Sequence, residues 1–318
     1  MKTASLYSPW SDWSQWAWRM FYWKSAAHAW AVTPFARFFG PRGDGFGVIT
    51  YHRVAPPPRR LPAAPLNVTP TRFRQQLAGL LERGYLPHRL TELIERQRRG
   101  AAIPRKAFAV VFDDGFENVY RHAFPVLQEL QIPATIFMPT AYLDSPEPFP
   151  FDDWPAAGSP IADPATWRPL STAQCQEMLD GRLIDLGSHT HAHQDFRGRL
   201  ADFESDLTAS LTVLRERFEQ RQIALAFPFG FMEPEFKRAA QRLGVNCCLN
   251  CDCRLVTRQT EPMDWGRFGA EQFDNSATLA AKLDGWYSAA RAVWRTLKRR
   301  TRPRQSNRSP TPAESAEP

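Results

Sequence analysis

The stretch FAVVFDDGF, residues 108–116, is an apolar run that ends abruptly in two adjacent carboxylates. The run FAVVF is short enough to predict a strand that is buried on both faces of a parallel sheet. Asp113 and Asp114 follow at its carboxyl end, and Gly115 lets the backbone turn sharply after them. Two neighbouring carboxylates at a strand end are costly unless a cation takes up their charge. This strand end is therefore a candidate for chemistry.

Similar apolar runs alternate with segments of helical spacing on both sides of this stretch. The predicted strands are GVITYHRV (47–54), FAVVF (108–112), PATIFMP (133–139), LIDLGSH (183–189), IALAFPFG (223–230) and VNCCLN (245–250). The predicted helices cover residues 71–83, 90–98, 119–130, 171–180, 202–220 and 234–243. This alternation predicts an α/β fold with a mostly parallel sheet or barrel. Catalytic residues collect at the carboxyl ends of barrel strands, where Asp113 and Asp114 would lie.

A second group of polar side chains lies in GSHTHAHQDF, residues 187–196, again at the end of a predicted strand. His189 and His193 are four residues apart, a spacing that can converge on one metal ion as the chain leaves a strand. One aspartate and two histidines on the same rim would leave a position for water, as catalytic metal sites do. A histidine-rich surface turn is the alternative.

The order and spacing of these motifs resemble those of the polysaccharide deacetylase family, the NodB-homology domain of carbohydrate esterase family four. VFDDGF resembles the first motif of the family, GSHTHAH the second, and AFPFG (226–230), at another strand end, the third. The resemblance extends from GVITYHRV to DWGRFG (264–269), which is most of the chain. It implies an irregular (β/α) barrel of about seven parallel strands and a metal-dependent removal of acetyl groups from sugars.

The same resemblance implies roles for individual residues. Asp114, His189 and His193 match the metal ligands, and we expect a divalent ion, zinc, as the cofactor. Asp113 matches the general base. A backbone N–H near Phe229 would stabilise the oxyanion together with the metal. 

The chain departs from the commonest family pattern at two positions. Ala226 stands where the third motif usually has an arginine that orients the base, and Arg267 is the expected substitute, with Asp264 as its partner. The late histidine that usually acts as general acid is missing. His52 is the expected replacement, because some members of the family look permuted and begin with a strand that ends in Tyr-His. A buried strand histidine is the alternative for His52.

The sequence therefore predicts a metal-dependent deacetylase that acts on the N-acetyl group of an N-acetylhexosamine unit in a polysaccharide or glycoconjugate. A carbohydrate O-acetyl esterase is an alternative, because the first two motifs do not distinguish an amide from an ester. A non-catalytic glycan-binding relic is another, prompted by the missing arginine and the missing late histidine. The retained Asp113 argues against the relic.

The basic charge of the chain is concentrated at its ends. Of a net charge of +7, residues 291–318 contribute +6 and residues 1–44 contribute +3, which leaves −2 for residues 45–290. A nucleic-acid enzyme usually has its basic surface on the working domain, so nucleic acid is not an expected partner. Basic ends indicate contact with an acidic surface such as a membrane.

Three segments follow from these patterns: a Trp-rich segment (1–45), a catalytic domain (46–290) and a basic tail (291–318) whose composition predicts disorder. The apolar positions of the first segment share one helical face, so we expect a helix that lies in the membrane plane or docks on the domain. They are Trp13, Trp16, Met20, Trp23, Ala27 and Trp30. With no spanning stretch and no signal-peptide core, the sequence predicts a cytoplasmic protein in peripheral contact with the membrane.

Four of the five cysteines are close together in the chain, at positions 247, 248, 251 and 253. A structural zinc site usually needs a second pair, and Cys175 is the only other cysteine. We therefore expect free thiols in or beside a strand.

Overall fold

The structure, a computed structural model, describes residue 27, residues 30–34 and residues 45–288. Most of the predicted Trp stripe and the whole predicted tail lie outside the described residues. Residues 30–34 are helical. Val32 in this turn packs against Phe268, Ala281 and Tyr287, while the side chain of Trp30 is 52% exposed.

Ten strands lie within residues 45–288. They are β1 (Gly47–Tyr51), β2 (Arg53–Val54), β3 (Asn67–Val68), β4 (Leu86–Pro87), β5 (Ala107–Phe112), β6 (Ala134–Met138), β7 (Ile184–Ser188), β8 (Ala224–Ala226), β9 (Cys247–Leu249) and β10 (Phe268–Gly269). Seven of them form a curled sheet in the order β10-β1-β5-β6-β7-β8-β9, and every pairing in it is parallel. β4 pairs with the start of β5, and β2 pairs with β3 apart from the main sheet. The predicted irregular barrel of about seven parallel strands is confirmed.

The helices lie between the strands, as the alternation in the sequence predicts. They are Pro70–Glu82, Leu90–Arg98, Phe124–Leu130, Thr172–Asp180, Leu200–Glu216, Pro234–Arg242 and Ser276–Leu283. Ser171, the N-cap of the helix Thr172–Asp180, accepts a hydrogen bond from the backbone of Gln174, whose side-chain oxygen accepts from the Ser171 N–H. Among the described residues, no helix combines the length and apolar character that a bilayer crossing requires.

The central strand β5 is buried on both faces, which explains its unbroken apolar sequence. Phe108, Val110 and Phe112 pack with the surrounding helices in the larger core, whereas the alternate residues Ala109 and Val111 face the inside of the barrel. The interior is filled by small and branched side chains together with the buried aromatic rings of Phe46, Phe137 and Trp265. The helix Leu90–Arg98 contributes Leu90, Leu93 and Ile94 to the same cluster.

Two predicted elements differ from expectation, and a proline explains each difference. The strand predicted over 223–230 stops at Ala226, because Pro228 cannot donate a ladder hydrogen bond and begins a short 3-10 turn, Pro228–Gly230. The helix predicted over 119–130 opens with a π-helical turn, Val119–Ala123, just before Pro125. A proline there removes one helical N–H, and the wider turn accommodates the loss.

Candidate active site

The motif residues meet at the carboxyl edge of the parallel sheet. Hydrogen bonding continues one residue past the strands there: the N–H of Asp113 donates to Tyr51 O at 2.9 Å, and the N–H of His189 donates to Met138 O at 3.0 Å. His52 follows β1 directly. The side chains that follow β1, β5 and β7 therefore lie at one rim of the sheet.

Asp114, His189 and His193 form a compact cluster, with one donor atom from each lying within 4.8 Å of the others. Asp114 Oδ1 lies 3.5 Å from His189 Nε2 and 3.6 Å from His193 Nε2. Asp114 and His193 both have a left-handed backbone, with φ of 69° and 51°. Such a conformation is uncommon for residues other than glycine and is kept where the surrounding structure enforces it.

The donor set and its protonation fit a divalent metal ion. His189 Nδ1 lies 2.7 Å from Ala226 O, and because a carbonyl only accepts, Nδ1 carries a proton whether the ring is charged or neutral. Nε2, which faces Asp114, is therefore the atom that can give up its proton and bind a metal ion. Burial lowers the pKa of His193 to about 3, so this ring is neutral. Burial would raise the pKa of Asp114, but the hydrogen bond from His189 and the nearby histidines hold it below its ordinary value. One carboxylate and two imidazoles are a common ligand set for such an ion.

His189 differs from its neighbour in its electrostatics. Burial alone would lower its pKa, but the carboxylates of Asp113 and Asp114 outweigh burial and raise it. When protonated, the His189 ring supplies a positive charge beside Asp114, as a bound metal ion would. The site thus attracts positive charge by its own composition.

Asp113 is bound by Arg267 rather than by the histidine cluster. Arg267 Nη1 donates to Asp113 Oδ1 at 2.6 Å, and both side chains are buried. Burial would raise the pKa of Asp113, but Arg267, His189 and His52 together outweigh burial, and the pKa lies below its ordinary value. The segment that carries Arg267 bridges the barrel: Trp265 pairs with Leu249 in β9, and β10 then runs beside β1. Arg267, which directly precedes β10, thus contacts Asp113, and its role as the substitute for the third-motif arginine stays a prediction.

The predicted partner of Arg267 is wrong. Asp264 does not contact Arg267; it accepts from Arg254 Nη2 at 2.5 Å and from Lys237 Nζ at 3.2 Å. These two cations hold Asp264 away from the rim. The guanidinium of Arg267 instead turns inward, where its Nε donates to Asn250 O at 3.0 Å.

His52 lies on the open side of Asp113. Its Nε2 is 3.8 Å from Asp113 Oδ2, and its side chain is 25% exposed. Burial lowers the pKa of His52, while the carboxylates of Asp114 and Asp113 act to raise it. The position is not that of a fully buried strand histidine, because residue 52 lies in the break between β1 and β2.

Phe229 lies in the turn after β8, with φ of 58°. Its ring meets the ring of His193 edge-on, with the centroids 4.8 Å apart. The third motif therefore contacts the histidine cluster twice, through Phe229 and through the carbonyl of Ala226.

His191, the histidine between His189 and His193 in the chain, is bound to a residue outside the cluster. Its Nδ1 lies 2.9 Å from Thr140 Oγ1. The carboxylate of Asp206 accepts the backbone N–H groups of His191 and Ala192 and so shapes the loop between the two clustered histidines. Asp206 was not foreseen from the sequence, since it lies on a helix 15 residues further along the chain.

A second unforeseen group comes from the long loop after β6. Phe151 stacks on the ring of His193, with centroids 3.8 Å apart and planes inclined by 26°. Asp152 Oδ2 lies 2.5 Å from Nη2 of Arg53, the residue after His52, and both side chains are buried. The alternating phenylalanines of PEPFPFDDW (146–154) are the one signal in the sequence that could have indicated this role.

Fold and site together define a NodB-type α/β barrel with an Asp–His–His cluster at its rim, and comparison with known proteins agrees. Residues 101–248 match the family model described as polysaccharide deacetylase. Over these residues the chain is similar to the polysaccharide deacetylase family.

Two curated relatives carry the same name, poly-beta-1,6-N-acetyl-D-glucosamine N-deacetylase. The protein from Escherichia coli is 32% identical over 150 residues, which are 46% of this chain and 21% of that protein. The protein from Staphylococcus epidermidis is 27% identical over 229 residues, 69% of this chain and 73% of the relative. The chain thus spans only about a fifth of the length of the first of these relatives.

Two solved structures share the fold over most of the chain. IcaB from Ammonifex degensii has a TM-score of 0.63 at 26% identity and covers 77% of this chain and 99% of its own. The Streptococcus pyogenes deacetylase PplD has the same TM-score at 20% identity, with 76% and 99% covered. The second likeness concerns the fold alone.

Proposed function

We propose that this protein is a metal-dependent deacetylase that hydrolyses the N-acetyl group of N-acetylglucosamine units in a β-1,6-linked polysaccharide. The observation that carries the proposal is the buried Asp113–Arg267 pair beside the Asp114–His189–His193 cluster. It supplies an ionised carboxylate that is not part of the cluster. The names of the two relatives support the choice of sugar and linkage.

Asp114, His189 and His193 would hold the divalent ion, which we propose to be zinc. When bound, the ion acts as a Lewis acid that polarises the acetamido carbonyl and acidifies water beside it. Both histidines present Nε2 to Asp114 Oδ1, so the three side chains converge without rearrangement.

Asp113 is the proposed general base. Arg267 occupies its Oδ1, which leaves Oδ2 directed towards the open side of the site, where His52 lies. Arg267 keeps the carboxylate ionised and fixes its orientation, so that it can take a proton from the attacking water. The backbone N–H near Phe229 would donate to the oxyanion that forms.

His52 is the proposed general acid. An amine is a poor leaving group unless it is protonated, and histidine can deliver a proton near neutral pH. His52 keeps contact with solvent and lies 3.8 Å from Asp113, so it can be reprotonated between turnovers. His52 and Arg267 stand in for the two missing family residues, which argues against a non-catalytic relic.

Acetate release from a panel of glycans tests the function. Wild-type protein loaded with zinc should release acetate and free amine in equal amounts from β-1,6-linked N-acetylglucosamine oligomers, and should lose this activity after chelation. Asp114→Asn should lose it too, whereas Asp195→Asn, which removes a carboxylate that pairs with Arg197 in the neighbouring loop, should keep it. Release from O-acetylated glycans alone would make the protein an esterase, and no release from either would contradict the proposal.

We further propose that residues 1–45 and 291–318 bring the protein to an anionic membrane surface from the cytoplasm. The support is the charge of these ends, +3 for residues 1–44 and +6 for residues 291–318. Full-length protein should float with anionic liposomes at low salt and be released at high salt. Reversing the charge of Arg299, Arg300 and Arg302 to glutamate should weaken flotation, and unchanged flotation would contradict this role of the tail.

A further inference from the structure

The two clustered histidines are held in different ways. His189 has the arrangement usual for a metal-binding histidine, in which the second ring nitrogen donates to a carbonyl, here Ala226 O at 2.7 Å. The Nδ1 atom of His193 is buried and has no hydrogen-bond partner among the described residues. Another contact must therefore fix the orientation of the His193 ring.

Aromatic rings provide that contact. Phe151 covers one face of His193 at a centroid distance of 3.8 Å, and Phe149 stacks on the far face of Phe151 at 4.9 Å with planes inclined by 27°. Phe229 meets His193 edge-on at 4.8 Å. The imidazole is thus confined by one stacked ring and one ring edge, which together restrict its rotation about the side-chain bonds.

The segment that carries Phe151, residues 149–154, is itself anchored at several points, and we call it the strap. Asp152 pairs with the buried Arg53, and it also accepts the backbone N–H of Trp154 at 3.0 Å. Trp154 Nε1 donates to Pro62 O at 3.0 Å. The strap is therefore fixed to the segment that follows β1, on the side of the rim where His52 lies.

Arg53, to which the strap is bound, is itself held by three further contacts. Its Nε donates to Thr166 O at 3.1 Å, its Nη1 donates to Pro65 O at 3.0 Å, and its guanidinium lies 3.9 Å above the ring of Phe116. A buried arginine with these partners cannot move without leaving an uncompensated charge. Arg53 therefore holds Asp152, and through it the strap, in one place.

We propose that Phe151 is a positioning residue for His193, replacing by ring stacking the hydrogen bond that orients His189. The inference rests on the proposed function to the extent that the cluster binds a metal ion. In other metal sites an outer hydrogen-bond partner fixes the orientation of the ligating ring, and here the strap would do so. Phe151→Leu should accordingly weaken metal binding while leaving all three ligands in the chain.

The test measures zinc affinity by competition with a chromophoric chelator, and the visible spectrum of the cobalt-substituted protein. Phe151→Leu should lower zinc affinity about tenfold, the lower end of the range for outer partners. It should also broaden or shift the cobalt bands. Phe151→Tyr keeps the ring and should restore both readouts. Phe196→Leu is the matched control, because Phe196 is a buried phenylalanine close to His193 in sequence that packs on Phe203 instead.

Asp152→Asn provides an independent variant if Phe151→Leu does not fold. It leaves all rings in place but weakens the anchor to Arg53, and it should lower zinc affinity in the same direction by a smaller factor. Wild-type affinity and spectrum in Phe151→Leu, or in a folded Asp152→Asn if the first does not fold, would overturn the inference and leave the proposed function standing. An equal loss in Phe196→Leu would also overturn it, because the effect would then follow stability. A wild-type protein that binds no zinc or cobalt would overturn both.

Discussion

The two halves of the candidate site are built in different ways. The proposed metal half, Asp114 with His189 and His193, comes from motifs that are recognisable in short stretches of sequence. The proposed proton-transfer half joins His52 after β1, Asp113 after β5 and Arg267 before β10, and the Arg267–Asp113 contact links residues 154 positions apart. The first half depends on local spacing, whereas the second depends on β1 lying between β5 and β10 in the barrel.

The largest effect is expected from breaking the metal half. His189→Ala should bind less than stoichiometric zinc and lose activity by about 10³-fold or more, because the ion contributes several kcal/mol to stabilisation of the transition state. Elemental analysis of purified variant and wild type checks the loss. Stoichiometric metal in both would remove His189 from the ligand set.

Breaking the proton-transfer half should give a different signature. His52→Ala should keep its zinc and lose about 100-fold or more in hydrolysis of the amide. An activated aryl acetate should be affected much less, because its leaving group needs no proton. Steady-state rates on the two substrates make the comparison. An equal fall on both would indicate a structural role, and no fall on either would leave His52 outside the mechanism.

Arg267→Gln should sharpen the distinction through its pH dependence. Arg267 lowers the pKa of Asp113, so its removal raises that pKa, and the acid limb of kcat/KM should move to higher pH. We expect a rate loss of about 10–100-fold, the range for partners that orient a reacting group. Breaking this buried pair should also cost about 3–5 kcal/mol of stability.

Arg267→Lys serves as the control, since it keeps the charge but not the two-sided contact with Asp113 and Asn250. It should retain the acid limb near its wild-type position with a smaller loss of rate. An unchanged pH profile in Arg267→Gln would mean that Arg267 does not tune the base.

The features that the sequence predicts, and those that it does not, divide in the same way between local and distant contacts. Alternating apolar runs were sufficient for the fold, because a strand such as β5, buried on both faces, has a distinctive composition. Arg267 could be identified from the sequence only as the substitute for a missing arginine. Its predicted partner, Asp264, was wrong because Lys237 and Arg254 bind that carboxylate. Phe151 and the Arg53–Asp152 pair were missed, since nothing local in an irregular loop shows which strand end it will cover.

The smallest effect concerns stability at the seam between β1 and β10. Burial raises the pKa of Glu271, just past β10, to about 8, with Lys282 opposing and Asp274 adding to the rise. The folded protein therefore binds more protons than the unfolded chain between the ordinary glutamate pKa and pH 8, and the free energy of unfolding should fall as pH rises through that window. Because Glu271 is only half-buried, we expect a change of about 1 kcal/mol.

Denaturant titrations at several pH values measure this effect. Glu271→Gln should flatten the decline between pH 5 and 8 while zinc affinity stays at the wild-type level. Glu235→Gln, a first-turn carboxylate of the helix Pro234–Arg242, is a control that should leave the decline unchanged. A decline of equal size in wild type and Glu271→Gln would show that other groups cause it.

The division into two halves rests most directly on Asp113, which borders both. Zinc content and acetate release should be measured on the same preparation of Asp113→Asn. We expect stoichiometric zinc together with a rate of acetate release reduced by about 100-fold or more, because the amide can keep a contact with Arg267 but cannot accept the proton. Loss of zinc along with activity would place Asp113 among the ligands, and a rate near that of wild type would contradict its role as the base.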